Sequence, residues 1–129
     1  MNAIVFVFQT GEIWSVDTAL LEFTSDRLPF IEPQFNAHFD EYRQFLDDLG
    51  MHRPYNWIAG ITGVKGRRLN YPAPPGQQWF GRDGGPLCLS ESIEDRGVIK
   101  EGQSAPEALR SFYRKIFEKC GRERPEYLD

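Results

Sequence analysis

A glycine-rich basic turn is the part of this sequence whose residue types come closest to a binding motif. Residues 63–68 read GVKGRR, so three cations stand beside two glycines. Glycine-rich turns next to cations can hold phosphate through their backbone N–H groups. The candidate anion-binding residues are therefore Lys65, Gly66, Arg67 and Arg68.

The basic turn lacks the rest of a known phosphate motif. A Walker loop ends in Gly-Lys-Ser/Thr and opens a helix, and a dinucleotide fingerprint needs G-x-G-x-x-G. Neither pattern occurs in residues 60–86. A solvated surface turn that binds nothing is the alternative, and the sequence predicts no cofactor.

The segment after the turn, NYPAPPGQQWF over residues 70–80, is rich in proline. Closely spaced prolines favour a polyproline II helix, which can dock on aromatic grooves. The alternative is a stiff loop that its own aromatic residues pin to the domain. The pattern leaves both interpretations open.

No residue set has the spacing of a catalytic or metal site. His38 and His52 have no metal-ligand partners at the usual spacing, and no serine sits in G-x-S-x-G. We therefore expect no metal and no enzymatic activity. A hydrolase or transferase built on scattered carboxylates stays as an alternative.

The two cysteines, Cys88 and Cys120, are expected to be free thiols. Cys120 falls on the apolar stripe of a helix, where a free cysteine behaves as a small hydrophobic residue. A disulfide is the less favoured alternative, because such bonds are rare in the cytosol.

The aromatic content suggests an interface. Aromatic residues make up 14% of the chain, which is more than a small core is expected to cover. Large apolar side chains left on the surface mark interaction sites. We therefore predict a homo-oligomer, or docking to a neighbouring domain, through Trp14, Trp57, Trp79 and Phe80.

Length and composition indicate one domain over residues 1–129. The chain is 40% hydrophobic, which suffices for a core, and has no apolar run near the ~20 residues of a membrane span. Its net charge of −4 disfavours direct binding to nucleic acid. The start lacks a basic signal-peptide region, so we expect a cytoplasmic protein.

The strands that must position these residues are predicted from their apolar patterns. AIVFVF at 3–8 and GEIWSVD at 11–17 are separated by a short turn that suits a hairpin. Residues 55–64 alternate as a third clear strand. The stretch 18–35 is ambiguous, with its prolines expected to keep 27–35 extended. Residues 94–103 are polar and are interpreted as a hairpin.

Two helices complete the prediction. Helical spacing of apolar residues predicts a helix over 37–49, with Asn36 as N-cap and Gly50 after its end. Ser104 and Glu107 form a capping box for a second helix over 105–120. The predicted fold class is α+β, a small mainly antiparallel sheet with two amphipathic helices packed on it.

Three stretches together resemble a known family. FVFQTGEIWSVDTALL (6–21), WIAGITGVKGRRLNYPAPPG (57–76) and ALRSFYRKIFEKCGRERPEYL (108–128) are similar to a domain of some bacterial putative Alba-like DNA-binding proteins, a family formerly called divergent AAA. That domain is the companion that follows the family's N-terminal module. The acidic-aromatic run of the module itself is absent, so no DNA- or ATP-binding residue carries over.

The resemblance implies one domain of a longer cytoplasmic regulator, or a solitary relative of it. The leading functional prediction is a non-catalytic accessory or self-association domain. The alternative from another class is a small-molecule or nucleotide-binding domain that uses the basic turn.

Overall fold

The computed structural model describes residues 4–8, 13–17, 27–28, 30–52, 54–74, 76 and 85–129. Within them the chain forms six strands, two helices and a short 3-10 turn. Their bounds are β1 Ile4–Phe8, β2 Ile13–Asp17, β3 Arg27–Leu28, α1 Glu32–Asp48, β4 Tyr55–Thr62, β5 Arg68–Leu69, β6 Ser92–Ile99, α2 Ala105–Lys119 and the 3-10 turn Glu126–Leu128. The predicted α+β class is confirmed.

The main sheet has four antiparallel strands in the order β2-β1-β4-β6. β1 and β2 pair as a hairpin would, with Val7 opposite Trp14, although the connecting residues 9–12 lie outside the described residues. β3 and β5 form a separate short parallel pair. β1 therefore lies inside the sheet, which agrees with its continuous apolar sequence.

β4 alternates as predicted and ends at Thr62. Its inward residues Tyr55, Trp57, Ala59 and Ile61 are buried, while the residues between them are half-buried or exposed. This period of two places one face of the strand against the helices.

β6 is an eight-residue strand at the edge of the sheet, and the predicted hairpin at 94–103 is wrong. Every residue from Ser92 to Ile99 pairs with β4. Asp95 and Gly97 occupy the inward positions between Ile93 and Ile99, so the sequence of β6 does not alternate between apolar and polar residues.

α1 begins earlier than the predicted residue 37, so Asn36 is not its N-cap. Ile31 precedes the helix, and Pro33 lies in its first turn. Backbone N–H groups there have no partner within the helix, so the missing N–H of proline costs no hydrogen bond. The expectation of extended backbone across Pro33 is therefore wrong. At the other end Gly50 has φ +82°, and the Met51 N–H donates to the Leu46 carbonyl at 3.1 Å, which is a Schellman motif.

α2 is confirmed in both its cap and its stripe. The Ser104 hydroxyl accepts from the Glu107 N–H at 3.4 Å and donates to the Glu107 carboxylate at 2.8 Å. The predicted apolar stripe is buried against the sheet and α1: Leu109, Phe112, Tyr113, Ile116, Phe117 and Cys120.

Cys88 and Cys120 form a disulfide, so the expectation of two free thiols is wrong. Both side chains are buried, and the bond joins the segment before β6 to the end of α2. Spacing along the sequence carried no sign of this contact, because it depends on how the loop returns to the helix.

Candidate functional site

The basic turn, residues 63–68, is held in place by the segment that leads to β6. Gly63 and Gly66 both have positive φ, at +75° and +82°, as the glycine pattern predicts for a tight turn. The Gly66 N–H donates to the Cys88 carbonyl at 2.9 Å, and the Cys88 N–H donates to the Arg67 carbonyl at 2.8 Å. The disulfide therefore sits directly behind this turn.

The cations of the turn differ in what they contact. Arg67 is half-buried, and its guanidinium donates to the carbonyls of Gly63 at 3.0 Å and Arg27 at 3.2 Å. Arg68 is exposed and donates to the Gly85 carbonyl at 3.3 Å, while Lys65 is exposed. Arg67 thus connects β3 to the turn through its hydrogen bonds. The anion site stays a prediction that depends chiefly on Lys65 and Arg68.

Trp57 is not a surface residue, so its assignment to an interface is wrong. Its side chain is 1% exposed and packs edge-on against Phe39, with ring centroids 6.4 Å apart. The reason is the register of β4, which points Trp57 toward the helices. The Trp14 side chain, Trp79 and Phe80 lie outside the described residues, and their interface role stays a prediction.

Two apolar residues with the helical spacing of α1 are exposed, one inside the helix and one directly after its end. Phe45 is 52% exposed and Leu49 is 61% exposed, one turn apart on the helix. The exposed acids near Phe45 line an open depression on the helix surface, together with Arg43 and Gln44. We call this set the acidic patch: Phe45, Leu49, Asp40, Glu41 and Asp48.

A second exposed apolar set lies beside the basic turn. Leu87 is 41% exposed and forms a β-bridge with Arg68. Leu89 is 66% exposed, and its backbone N–H donates to the Lys119 carbonyl at 3.1 Å. The exposed acid Glu91 also borders this region, since the Val64 N–H donates to the Glu91 carbonyl at 3.2 Å. Three basic residues give this surface a net positive charge. We call it the basic patch: Leu87, Leu89, Lys65, Arg68 and Lys119.

A buried ion pair joins residues that lie 92 positions apart, and sequence reasoning missed it. Both Glu32 oxygens accept from Arg124, at 2.6 and 3.3 Å, and both side chains are at least nine-tenths buried. Burial raises the pKa of Glu32, and the hydrogen bonds from Arg124 offset only part of this rise. Burial alone would lower the pKa of Arg124, but the contacts with Glu32 and Asp129 raise it.

Tyr113 completes the polar cluster next to this pair. Its hydroxyl lies 2.6 Å from the Asn36 side-chain oxygen and 3.2 Å from the Glu32 carbonyl. Burial and the negative charge of Glu32 raise the pKa of the Tyr113 hydroxyl, so it stays protonated and acts as a donor. The cluster thus links α1, α2 and the residues after α2.

Within the part of the chain that the structure describes, no group of His, Cys, Asp and Glu could hold a metal ion. No described helix combines the length and apolar character that crossing a membrane requires. No protein-family model, curated protein or solved structure matches this chain. The resemblance to the companion domain of Alba-like proteins therefore stays a prediction.

Proposed function

We propose that this chain is a non-catalytic accessory domain that associates with further copies of itself, the acidic patch of one copy binding the basic patch of the next. The observation that carries the proposal is the presence of two exposed apolar patches with opposite charge on one domain. Apolar contact supplies the driving force, and opposite charge fixes which surfaces meet.

The charges favour this pairing over contact between like patches. Asp40, Glu41 and Asp48 of two copies would repel one another if α1 packed against α1. Arg43 lies 3.0 Å from Asp47 and 3.5 Å from Asp40 of its own helix, so it offsets part of the charge of Asp40 only. Lys65 and Arg68 of a second copy supply the opposite sign.

The association is expected to be weak. Full burial of a Leu or Phe side chain contributes roughly 1.5–3 kcal/mol, and each patch offers two such groups already partly covered. Loss of rotational and translational freedom costs ~4 kcal/mol or more. Since the two patches differ, the contact does not close a dimer by symmetry, and assemblies should grow with concentration.

The contacts of Glu32 support the non-catalytic part of the proposal. A buried carboxylate with a raised pKa is the kind of group that enzymes use as a general acid or base. Both oxygens of Glu32 are engaged by Arg124, however, so neither is placed to transfer a proton to a substrate. The ion pair is better suited to holding structure together.

The cellular setting belongs to the same proposal. The resemblance to a companion domain supports an accessory role in a bacterial regulatory protein. The buried disulfide between Cys88 and Cys120 favours an oxidising compartment and so argues against the predicted cytoplasmic location.

Charge reversal tests the proposed pairing. Wild-type protein should sediment as larger species at higher concentration, and added salt should weaken this association. The variants Glu41→Lys/Asp48→Lys and Lys65→Glu/Arg68→Glu should each stay monomeric. Mixed together they should associate again, because each restores the opposite charge that the other lacks.

The matched control is the reversal Lys100→Glu/Glu101→Lys, two exposed residues outside both patches. It should associate like the wild type. A wild type that stays monomeric at every concentration would refute the proposal. So would a mixture of the two reversed variants that fails to associate while each keeps the wild-type unfolding midpoint.

A further inference from the structure

A cavity of about 430 Å³ lies between the start of α1, the start of α2 and residues 124–129. One part of its wall is apolar and includes Phe30, Pro33, Pro106 and Tyr127. The other part is charged and includes Arg110 and Arg124 together with the carboxylates of Glu32 and Asp129. Its size and mixed lining resemble those of small-molecule sites.

The charged part of the wall already binds a carboxylate, that of Asp129. Arg124 contacts it directly, Arg110 lies 3.5 Å from it, and Arg114 lies 3.7 Å from it. Three guanidinium groups from two parts of the chain therefore converge on one carboxylate. Arg124 is fixed there by Glu32 behind it and is 5% exposed, so this cation is held in position before any ligand arrives.

The segment that supplies Asp129 is only shallowly attached. No residue of the 3-10 turn 126–128 is buried, and the Asp129 side chain is one-third exposed. Tyr127 reaches back to the Pro72 carbonyl at 2.8 Å, and Leu128 is half-buried against the core. Displacing the Asp129 side chain would leave the buried Glu32–Arg124 pair intact.

We propose that this cavity binds a small organic acid with an apolar body, whose carboxylate takes the place of the Asp129 carboxylate. The carboxylate of the acid would contact the three arginines that now contact Asp129, namely Arg110, Arg114 and Arg124. Its body would lie on the wall of Phe30, Pro33 and Pro106. A bound molecule of this kind competes with Asp129, so the domain binds it more weakly than the bare arginine cluster would.

The buried charges decide between anions. Glu32 lines the cavity next to Arg124 and contributes a negative charge there when it is ionised. A second negative charge on the ligand would be repelled by it across a partly desolvated space. A monocarboxylate is therefore favoured over a phosphate dianion, and a cation is excluded by the three guanidinium groups.

Calorimetric titration of the 129-residue chain with benzoate tests the proposal. Asp129→Asn removes the competing side-chain carboxylate and should tighten benzoate binding by about tenfold, because apparent affinity rises with the fraction of protein that is free to bind. Adding Arg110→Gln to that variant should reverse most of the gain, because it removes a charge-assisted contact. Arg110 and Arg114 are both partly exposed, so Arg114→Gln provides a second variant that should fold.

Two further ligands and one control variant make the result specific. Acetate, which lacks the apolar body, and inorganic phosphate should both bind at least tenfold more weakly than benzoate to Asp129→Asn. Glu101→Gln, an exposed change away from the cavity, should bind benzoate like the wild type. Unchanged benzoate affinity in folded Asp129→Asn, or phosphate binding as tight as benzoate binding, would overturn the proposal.

Discussion

At the scale of single residues, Gly97 shows how a missing side chain shapes the core. A Cβ atom on Gly97 would lie 2.5 Å from Cζ2 of Trp57, so only glycine lets the indole ring pack across β6. The same packing buries Trp57 Nε1 without a hydrogen-bond partner among the described residues. Close packing of a large ring is thus achieved with one polar atom unpaired.

Glu32 gives a prediction at this scale. Burial raises its pKa above the ordinary value of 4.5, so the folded state holds the proton at higher pH than the unfolded state does. The stability contributed by the protonated form is present below about 4.5 and is lost as pH rises through the raised pKa. The unfolding free energy of the wild type minus that of Glu32→Gln should therefore fall with rising pH.

Chemical denaturation of both proteins from acid to neutral pH measures this difference. Glu41→Gln, at an exposed position on α1, serves as the control. Its difference in unfolding free energy from the wild type should not change with pH. A difference that rises with pH would show that the ion pair with Arg124 outweighs the burial of Glu32.

At the scale of secondary-structure elements, α2 links most parts of the domain. Its apolar stripe packs on α1 through the Phe35–Phe112 ring pair, with centroids 5.2 Å apart. Its polar side holds the edge strand β6, since Ser111 donates to Asp95 at 2.6 Å and Lys115 donates to the Glu94 carbonyl at 2.7 Å. A lysine beside an edge strand also discourages unwanted strand pairing.

Truncation of the α2 stripe should be costly, whereas loss of its cap should not. Phe112→Ala should lower the unfolding free energy by ~3–5 kcal/mol, because it removes a fully buried ring. Ser104→Ala should lower it by only ~1 kcal/mol through the lost N-cap. Urea denaturation monitored by circular dichroism compares the two, and a loss under ~1 kcal/mol for Phe112→Ala would mean that the ring is not in the core.

At the scale of the whole molecule, the disulfide and the Glu32–Arg124 pair each join distant parts of the chain. Cys88–Cys120 closes a loop of 32 residues that contains all of β6. Glu32 and Arg124 connect the start of α1 to the residues after α2. Together these two links connect the loop before β6, both helices and residues 124–129, which line the cavity.

The disulfide should contribute substantially to stability. A cross-link over a loop of this length is expected to stabilise the fold by ~3–4 kcal/mol, mainly by restricting the unfolded chain. Cys88→Ala/Cys120→Ala should lose this amount in urea denaturation, and the reduced wild type should lose a similar amount. Equal stability of the oxidised and reduced wild type would contradict this expectation.

Local patterns in the sequence suffice to predict much of the fold. The stripe and capping box of α2, the alternation in β4 and the positive φ of Gly66 were all predictable, because each depends on residues close together in the chain. β6 escaped prediction since Asp95 and Gly97 occupy inward positions that only their partners Ser111 and Trp57 explain.

The candidate sites depended far more on tertiary structure. Lys65 and Arg68 were identifiable from composition, but only the fold placed Leu87 beside them and left Phe45 exposed on α1. The Glu32–Arg124 pair and the Cys88–Cys120 bond join residues 92 and 32 positions apart. Local propensity and periodicity predicted most of the elements, and the exceptions were β6 and the start of α1. Which surfaces stay exposed and which charges meet was decided by long-range packing, because neither follows from spacing along the chain.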